Sequence, residues 1–403
     1  MTTSVAVDIR GRSREVGAGL GDRPWLTALR ERAAELAEQL AWPDSYQSRP
    51  WKYYDATTTD LGRYPVDRDE AIATTVPDGV TVTTLGFAEG RTEELLAAQL
   101  GRAVEPGTDR FTALHYAFLR DAVLVDVPAN LEAAQPVRIT RTFEGAQLAA
   151  PHTVIVTGAN SRVTVIEEYS SDGADILAVP VAEIVPGPGS EVRYYVVHSW
   201  GPGTRAFAYQ QVRAKERDAA LQNLQLVLSG KVVKGQMVSA LEARGTGSEL
   251  LGLAYGRGEE YVDFYTLQDH IGPDTRSDLL YKAALRDSAR SVYYGLTRVG
   301  LGATNADANQ ENRNLILSTT ARADSDPVLE ILTSNVIRAS HGATAGPVDE
   351  EQLFYLQARG IPRPKAEAML VWAFLEEVVA RVPDEAVREE LLAKLAEKVE
   401  RTA

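Results

Sequence analysis

The stretch Val336–Gly346, Val-Ile-Arg-Ala-Ser-His-Gly-Ala-Thr-Ala-Gly, holds the side chain best suited to chemistry in this sequence: His341, set between Ser340 and Gly342. An imidazole binds transition metals through its neutral ring and moves protons near neutral pH. The other four histidines are His115, His152, His198 and His270. None lies at ligand spacing from another on one helix or strand, so no local metal motif is present. A lone histidine is usually a satisfied core or surface residue. His270, in Gln268-Asp269-His270, differs in having a carboxylate beside it that could fix its tautomer. A hydrogen bond at a chain corner is the plainer reading there. The chain has no cysteine. That excludes disulfides, a thiolate nucleophile and any self-contained Cys-ligated metal site. Ser229-Gly230-Lys231 comes nearest to a phosphate-binding loop, but it lacks the upstream glycine and the loop-to-helix context. There is no dinucleotide fingerprint and no nucleophile elbow. Acidic residues are scattered, with no recognisable catalytic pair.

The elements that must carry His341 follow from composition and pattern. At 403 residues the chain can bury a large core in two or three domains. Apolar content of 44% and charged content of 24% are ordinary for a globular protein. A formal charge of −14 argues against nucleic acid as a partner, because phosphate binding needs clustered Lys and Arg. No apolar run is long enough to span a membrane, and no apolar signal segment opens the chain. The expectation is a cytoplasmic protein without a membrane partner.

Residues 1–21 are expected to form a flexible tail and residues 22–79 an N-terminal helical region. A helix over 22–41 is capped by Asp22, starts at Pro24, and carries Trp25, Leu26, Leu29, Ala33, Leu36 and Leu40 on one stripe. The aromatic cluster Ser48–Tyr54 is expected to be a packing anchor. From residue 80 to 325 short alternating strands dominate, beginning with Val80–Leu85. Turn clusters begin at Gly158, Gly187, Lys215 and Gly245, 29, 28 and 30 positions apart by subtraction. A steady period built of short strands and turns predicts stacked coils of a parallel β-helix. A β-sandwich with long loops would tolerate the composition but not explain the period. Residues 326–403 are expected to be a helical domain of three amphipathic helices: one from Asp349 to Gly360, one from Pro364, and Asp384–Glu400.

One family resemblance covers residues 260–380 in order and spacing. It is carried by Asp269-His270, Thr275-Arg276-Ser277, Tyr281-Lys282, Tyr294-Gly295, Thr304-Asn305-Ala306-Asp307, Gln310, Leu315-Ile316-Leu317-Ser318, Pro327, Leu329-Glu330-Ile331, Ser340–Thr344 and Gln352–Leu356. In these motifs the chain resembles the SufB/SufD family, scaffold proteins of iron–sulfur cluster assembly. The Arg49–Tyr53 cluster and the missing cysteines are similar to the SufD side. The resemblance implies a right-handed parallel β-helix flanked by helical regions. It implies a non-catalytic subunit that pairs with a SufB-like paralogue through the β-helix end and binds a SufC-like ABC-type ATPase through its C-terminal helices. Phe354, Tyr355, Trp372 and Phe374 are the contact candidates there. His341 stands where the family has a histidine facing a cysteine of the partner paralogue at the nascent-cluster site. Ala339 stands where many members carry Cys and Asn335 where many carry Asp, so this motif supplies at most one side-chain ligand. A transient iron–sulfur cluster in the complex is implied, with a reduced flavin also allowed. A homodimer of the isolated chain is left open. Two other classes remain beside this reading: a β-helix carbohydrate-active enzyme, which would need carboxylates or arginines converging in a groove, and a stand-alone sulfur-carrying homodimer, which the lack of Cys disfavours.

Overall fold

A computed structural model describes residues 7–21, 23–45, 49–68 and 70–400. The protein is a parallel β-solenoid of about eight coils with helices at both ends. Its strands build a nine-stranded and an eleven-stranded sheet. Consecutive coils stack in register, so Arg162 pairs with Glu191, Glu191 with Ala220, Ala220 with Gly247 and Gly247 with Arg276. The repeat expected near 29 residues is therefore one coil.

The corners show why the turn clusters recur. Asn130, Asn160, Gly189, Asp218, Gly245, Asp274 and Asn305 all have left-handed backbones, with φ between 54° and 74°. Gly takes that conformation freely, and Asn and Asp tolerate it better than other residues. Each donates its backbone N–H to the next coil: Asn160 to Pro188, Gly189 to Arg217, Asp218 to Arg244, Gly245 to Pro273, Asp274 to Thr304 and Asn305 to Asn335. A β-branched residue at any of these corners would strain one rung of the ladder.

The two ends of the solenoid differ. At the first end, Ala71–Thr75 pairs antiparallel with Val137–Phe143, and Thr81–Thr84 with Ala122–Val127. Helices α1 (Ile9–Leu20), α2 (Pro24–Gln39), α3 (Arg91–Gln99) and α4 (Arg110–Ala117) share a core with these strands. Trp51 is buried and stacks on Phe111 at 5.1 Å, and Phe111 on Phe207 at 4.2 Å. The aromatic cluster is thus the anchor between the helices and the solenoid wall. At the other end, α5 (Glu350–Ala358), α6 (Arg363–Val379) and α7 (Glu385–Glu400) turn back. Helices α6 and α7 pack Val371, Leu375, Val378, Leu391 and Leu395 onto the outer face of the nine-stranded sheet. Buried Lys282 ties α6 down, donating to the Phe374 carbonyl at 2.9 Å and pairing with Glu377 at 2.5 Å. The last strands, Arg322–Ile331 and Val336–Pro347, are sheet edges with no strand beyond them.

Several expectations are corrected. Residues Ile9–Leu20, placed in a flexible tail, form α1, because Asp8 caps it by accepting from Gly11 and because Ile9 and Val16 are buried. The helical region 22–79 also holds the strand Ala71–Thr75. The solenoid does not end at residue 325 but at Pro347, because the neighbouring coil templates one further turn. Asp22, expected as a cap, and Ser48 lie outside the described residues. Among the described residues no helix is long and apolar enough to cross a membrane.

Candidate functional site

The terminal strand Val336–Pro347 lies in register on Ala306–Ile316, with Ala308 opposite Ala339, Gln310 opposite His341 and Asn312 opposite Ala343. Register partners in a parallel pair point to the same side. Ala308, Gln310 and Asn312 are buried and face the solenoid interior. Ala339, His341 and Ala343 therefore sit on the inward side of the last coil. Across the mouth, Tyr293 pairs with Ser325, Gly295 with Pro327 and Thr297 with Leu329, which turns Ser325, Pro327 and Leu329 inward. The outward residues pin the strand: Ser340 Oγ donates to Asn309 Oδ1 at 2.8 Å and Arg338 Nε to Asp307 at 2.8 Å. His341 is exposed, over an interior with nothing stacked above it.

Of the five histidines, His341 alone has no side-chain hydrogen bond among the described residues. His115 and His152 are fully buried in one chain: His115 Nδ1 to the Val179 carbonyl at 2.7 Å, His115 Nε2 to His152 Nδ1 at 2.9 Å, and His152 Nε2 to Glu183 at 3.1 Å. Glu183 also accepts the backbone N–H groups of Gly101, Arg102, Ala103 and Val104. This network locks the α3–α4 connection to the solenoid. Nothing in the single-histidine spacing could have revealed it, because the partners meet only in the fold. His198 accepts from Trp200 Nε1 at 3.1 Å, and burial pushes its pKa down to about 3. His270 bonds the Thr275 and Ser277 hydroxyls at 2.8 and 2.7 Å, and burial lowers its pKa to about 4. Asp269, its sequence neighbour, points to the opposite face and binds Arg298 at 2.8 Å. His270 is thus the corner hydrogen bond of the plainer reading.

Below His341 the interior is polar. Gln310 Nε2 donates to the Tyr293 hydroxyl at 2.7 Å, and Thr297 Oγ1 donates to Gln268 Oε1 at 2.9 Å while lying 3.3 Å from Gln310 Oε1. Gln268 Nε2 reaches Ser277 Oγ at 2.7 Å, and Ser277 continues to His270. The site is thus one free imidazole, at an open mouth, on a cross-bonded floor. It offers a single nitrogen ligand. Among the described residues no group of three or more His, Asp or Glu side chains is arranged to hold a metal. A metal species meeting His341 would take its other ligands from a second molecule.

The other candidate residues lie on the C-terminal helices. Phe354 and Tyr355, on α5, are 73% and 57% exposed. Trp372 and Phe374, on α6, are half-buried against the core under α6 and α7, and Lys282 Nζ lies 4.5 Å from the Phe374 ring centroid. The structure therefore separates two exposed aromatics, of which Tyr355 meets only Arg359 of its own helix turn, from two that pack against the chain's core. Met369, expected on the apolar stripe of α6, is 43% exposed.

Comparison with known proteins agrees with this architecture. Residues 139–374 match the family model described as the SUF system FeS cluster assembly, SufBD core domain, and residues 65–139 the SufBD protein N-terminal region. The chain is 28% identical to the iron–sulfur cluster assembly protein SufD of Bacillus subtilis, over 93% of this chain and 94% of that protein. It is 31% identical to an iron–sulfur cluster assembly SufBD family protein of Mycobacterium tuberculosis, over 75% of this chain and 77% of that protein. The iron–sulfur cluster assembly protein SufD of Escherichia coli is 31% identical over 49% of this chain and 46% of its own length.

Proposed function

The chain belongs to the SufBD family of iron–sulfur cluster assembly proteins, and on that premise we propose that it is a non-catalytic scaffold subunit whose open solenoid end, with His341 at its mouth, meets a SufB-like paralogue at the nascent-cluster site. The observation that carries the reading is the combination at one end of the molecule: two strands with open outer edges and the one histidine whose ring has no hydrogen bond among the described residues. Edge strands with unsatisfied N–H and C=O groups are templates for pairing with another chain. A neutral imidazole binds iron without the grip of a thiolate, which suits a cluster that is cargo and must leave. The cluster forms between subunits because this chain contributes one ligand and has no cysteine. Phe354 and Tyr355 are proposed to receive a SufC-like ATPase. Trp372 and Phe374 act with them as the shaped base of α6. A reducing cytoplasm is the setting proposed, and a reduced flavin is the proposed electron source in the complex. Membership of the family displaces the carbohydrate-active alternative.

The test is cluster reconstitution on this chain co-expressed with SufB-like and SufC-like partners. His341→Ala is expected to assemble normally by size exclusion and to yield several-fold less cluster. Normal yield from an assembled His341→Ala complex would overturn the site, and failure of the wild-type chain to bind either partner would overturn the scaffold reading. Separately, Phe354→Ser/Tyr355→Ser is expected to weaken ATPase binding roughly tenfold or more, as loss of exposed aromatic anchors does. Because both rings are exposed, the melting temperature should not move. Unchanged ATPase affinity would exclude α5 from the contact.

A further inference from the structure

We infer that Gln310 is a positioning residue, anchored by the Tyr293 hydroxyl beside Thr297 so that its amide bonds within the solenoid and not to the His341 imidazole above it. The inference rests on reading His341 as the site residue, but its test does not. A carboxamide one strand spacing from an imidazole, about 4.8 Å away on the same face, would ordinarily bond to it. Here the Gln310 amide is engaged inside the solenoid instead: its nitrogen donates to the Tyr293 hydroxyl at 2.7 Å, and its oxygen lies 3.3 Å from the Thr297 hydroxyl. His341 is left as the one histidine with no partner among the described residues.

A second, independent feature makes room for this arrangement. Gly295 lies on the inward face beside Gln310, and a Cβ there would fall 1.7 Å from Gln310 Nε2 and 2.2 Å from the Tyr293 hydroxyl. Its φ is not left-handed, so space and not backbone freedom requires glycine at this position. The hold is braced from below. Tyr293 also meets Thr266 Oγ1 at 3.1 Å, and Thr297 continues through Gln268 to Ser277 and His270. All these groups are buried. The column therefore engages Gln310 from below and leaves the imidazole lone pair for an incoming ligand.

The test reads availability of the ring directly. The full chain is treated with diethyl pyrocarbonate at neutral pH and modification of each histidine is followed by peptide mass spectrometry. His341 should react fastest, and the four buried, hydrogen-bonded histidines serve as internal controls. Tyr293→Phe/Thr297→Val removes two hydroxyls and releases Gln310. His341 should then react roughly three- to tenfold more slowly, the population effect of one ordinary hydrogen bond. Adding Gln310→Met to that pair should restore the wild-type rate, whereas damage to the fold would be worsened by a third core change. Gly295→Ala, whose Cβ would crowd both the amide and the Tyr293 hydroxyl that holds it, should slow His341 in the same way. A wild-type rate in both Tyr293→Phe/Thr297→Val and Gly295→Ala, or no recovery on adding Gln310→Met, would overturn the inference. In reconstitution with the partner subunits, the same variants should lower cluster yield in the order of their modification rates. If His341→Ala builds clusters normally there, the assembly reading fails while the modification rates still decide the role of Gln310.

Discussion

Replacing Arg141 by methionine should cost the fold about 3–5 kcal/mol, the penalty for breaking a buried ion pair from one side. Arg141 is fully buried at the first end of the solenoid. Its Nε donates to Glu167 at 2.7 Å, one terminal nitrogen to Glu70 at 2.5 Å, and the other to the His152 carbonyl and Thr153 Oγ1 at 2.7 and 3.1 Å. Burial works against its charge, but the pull of Glu70 and Glu167 outweighs it and leaves the guanidinium more basic than usual. Glu167 is also fully buried and accepts from Tyr194 at 2.6 Å and Thr153 at 2.9 Å. Without Arg141 that carboxylate keeps two hydroxyl donors and no positive partner. Urea unfolding should show a lower midpoint at an unchanged slope. Arg141→Met/Glu167→Gln should recover much of the loss, because the uncompensated charge leaves with its carboxylate. A single-variant cost below about 1 kcal/mol, the range of exposed pairs, would mean that water reaches this site.

The sequence made the solenoid legible through its corners, not its strands. Turn clusters at Gly158, Gly187, Lys215 and Gly245 sit beside the left-handed residues Asn160, Gly189, Asp218 and Gly245, so each coil announces itself by the one backbone conformation that few residues tolerate. Strands hid wherever burial departed from alternation. Arg276–Leu285 presents Leu279 and Tyr281 to the interior and Leu280 and Ala284 to α6 and α7, so both faces are apolar and the period of two vanishes. The last coil hid for the opposite reason. Its inward positions, Ala339, His341, Ala343 and Ala345, have no coil above them to bury against, and like Ala308, Gln310, Asn312 and Asn314 beneath them they are small or polar, with no large apolar residue to mark a strand. The feature that makes the terminal strand hard to recognise is the openness that makes it a candidate site. His341 could be singled out from its motif, whereas the polar floor beneath it could not. Gln268, Ser277, Thr297 and Gln310 are far apart in sequence and are brought together only by stacking.

Acid should unfold this protein earlier than its carboxylates alone would predict, and His198 isolates the cause. The ring is fully buried, stacked 5.7 Å from Tyr169, and its Nδ1 accepts the Trp200 indole N–H. Protonation would set two donors against each other in a fully buried site. Burial accordingly lowers the folded-state pKa to about 3, against about 6.5 in the unfolded chain. The folded state thus holds the neutral ring while the unfolded chain takes up a proton. The stability contributed is fully present above pH 6.5 and is lost as pH falls toward 3. One proton corresponds to about 1.4 kcal/mol per pH unit, so His198 alone removes about 3 kcal/mol between pH 6.5 and 4. His115 and His270, whose pKa values burial also lowers, act in the same direction. His198→Gln keeps an acceptor for Trp200 and does not titrate. Urea midpoints measured across this range should therefore fall less steeply in the variant, by one proton's slope, and the two stability curves should converge or cross as the pH drops. Parallel curves would show that His198 is already protonated in the folded chain, and the neutral, Trp200-accepting ring would have to be abandoned.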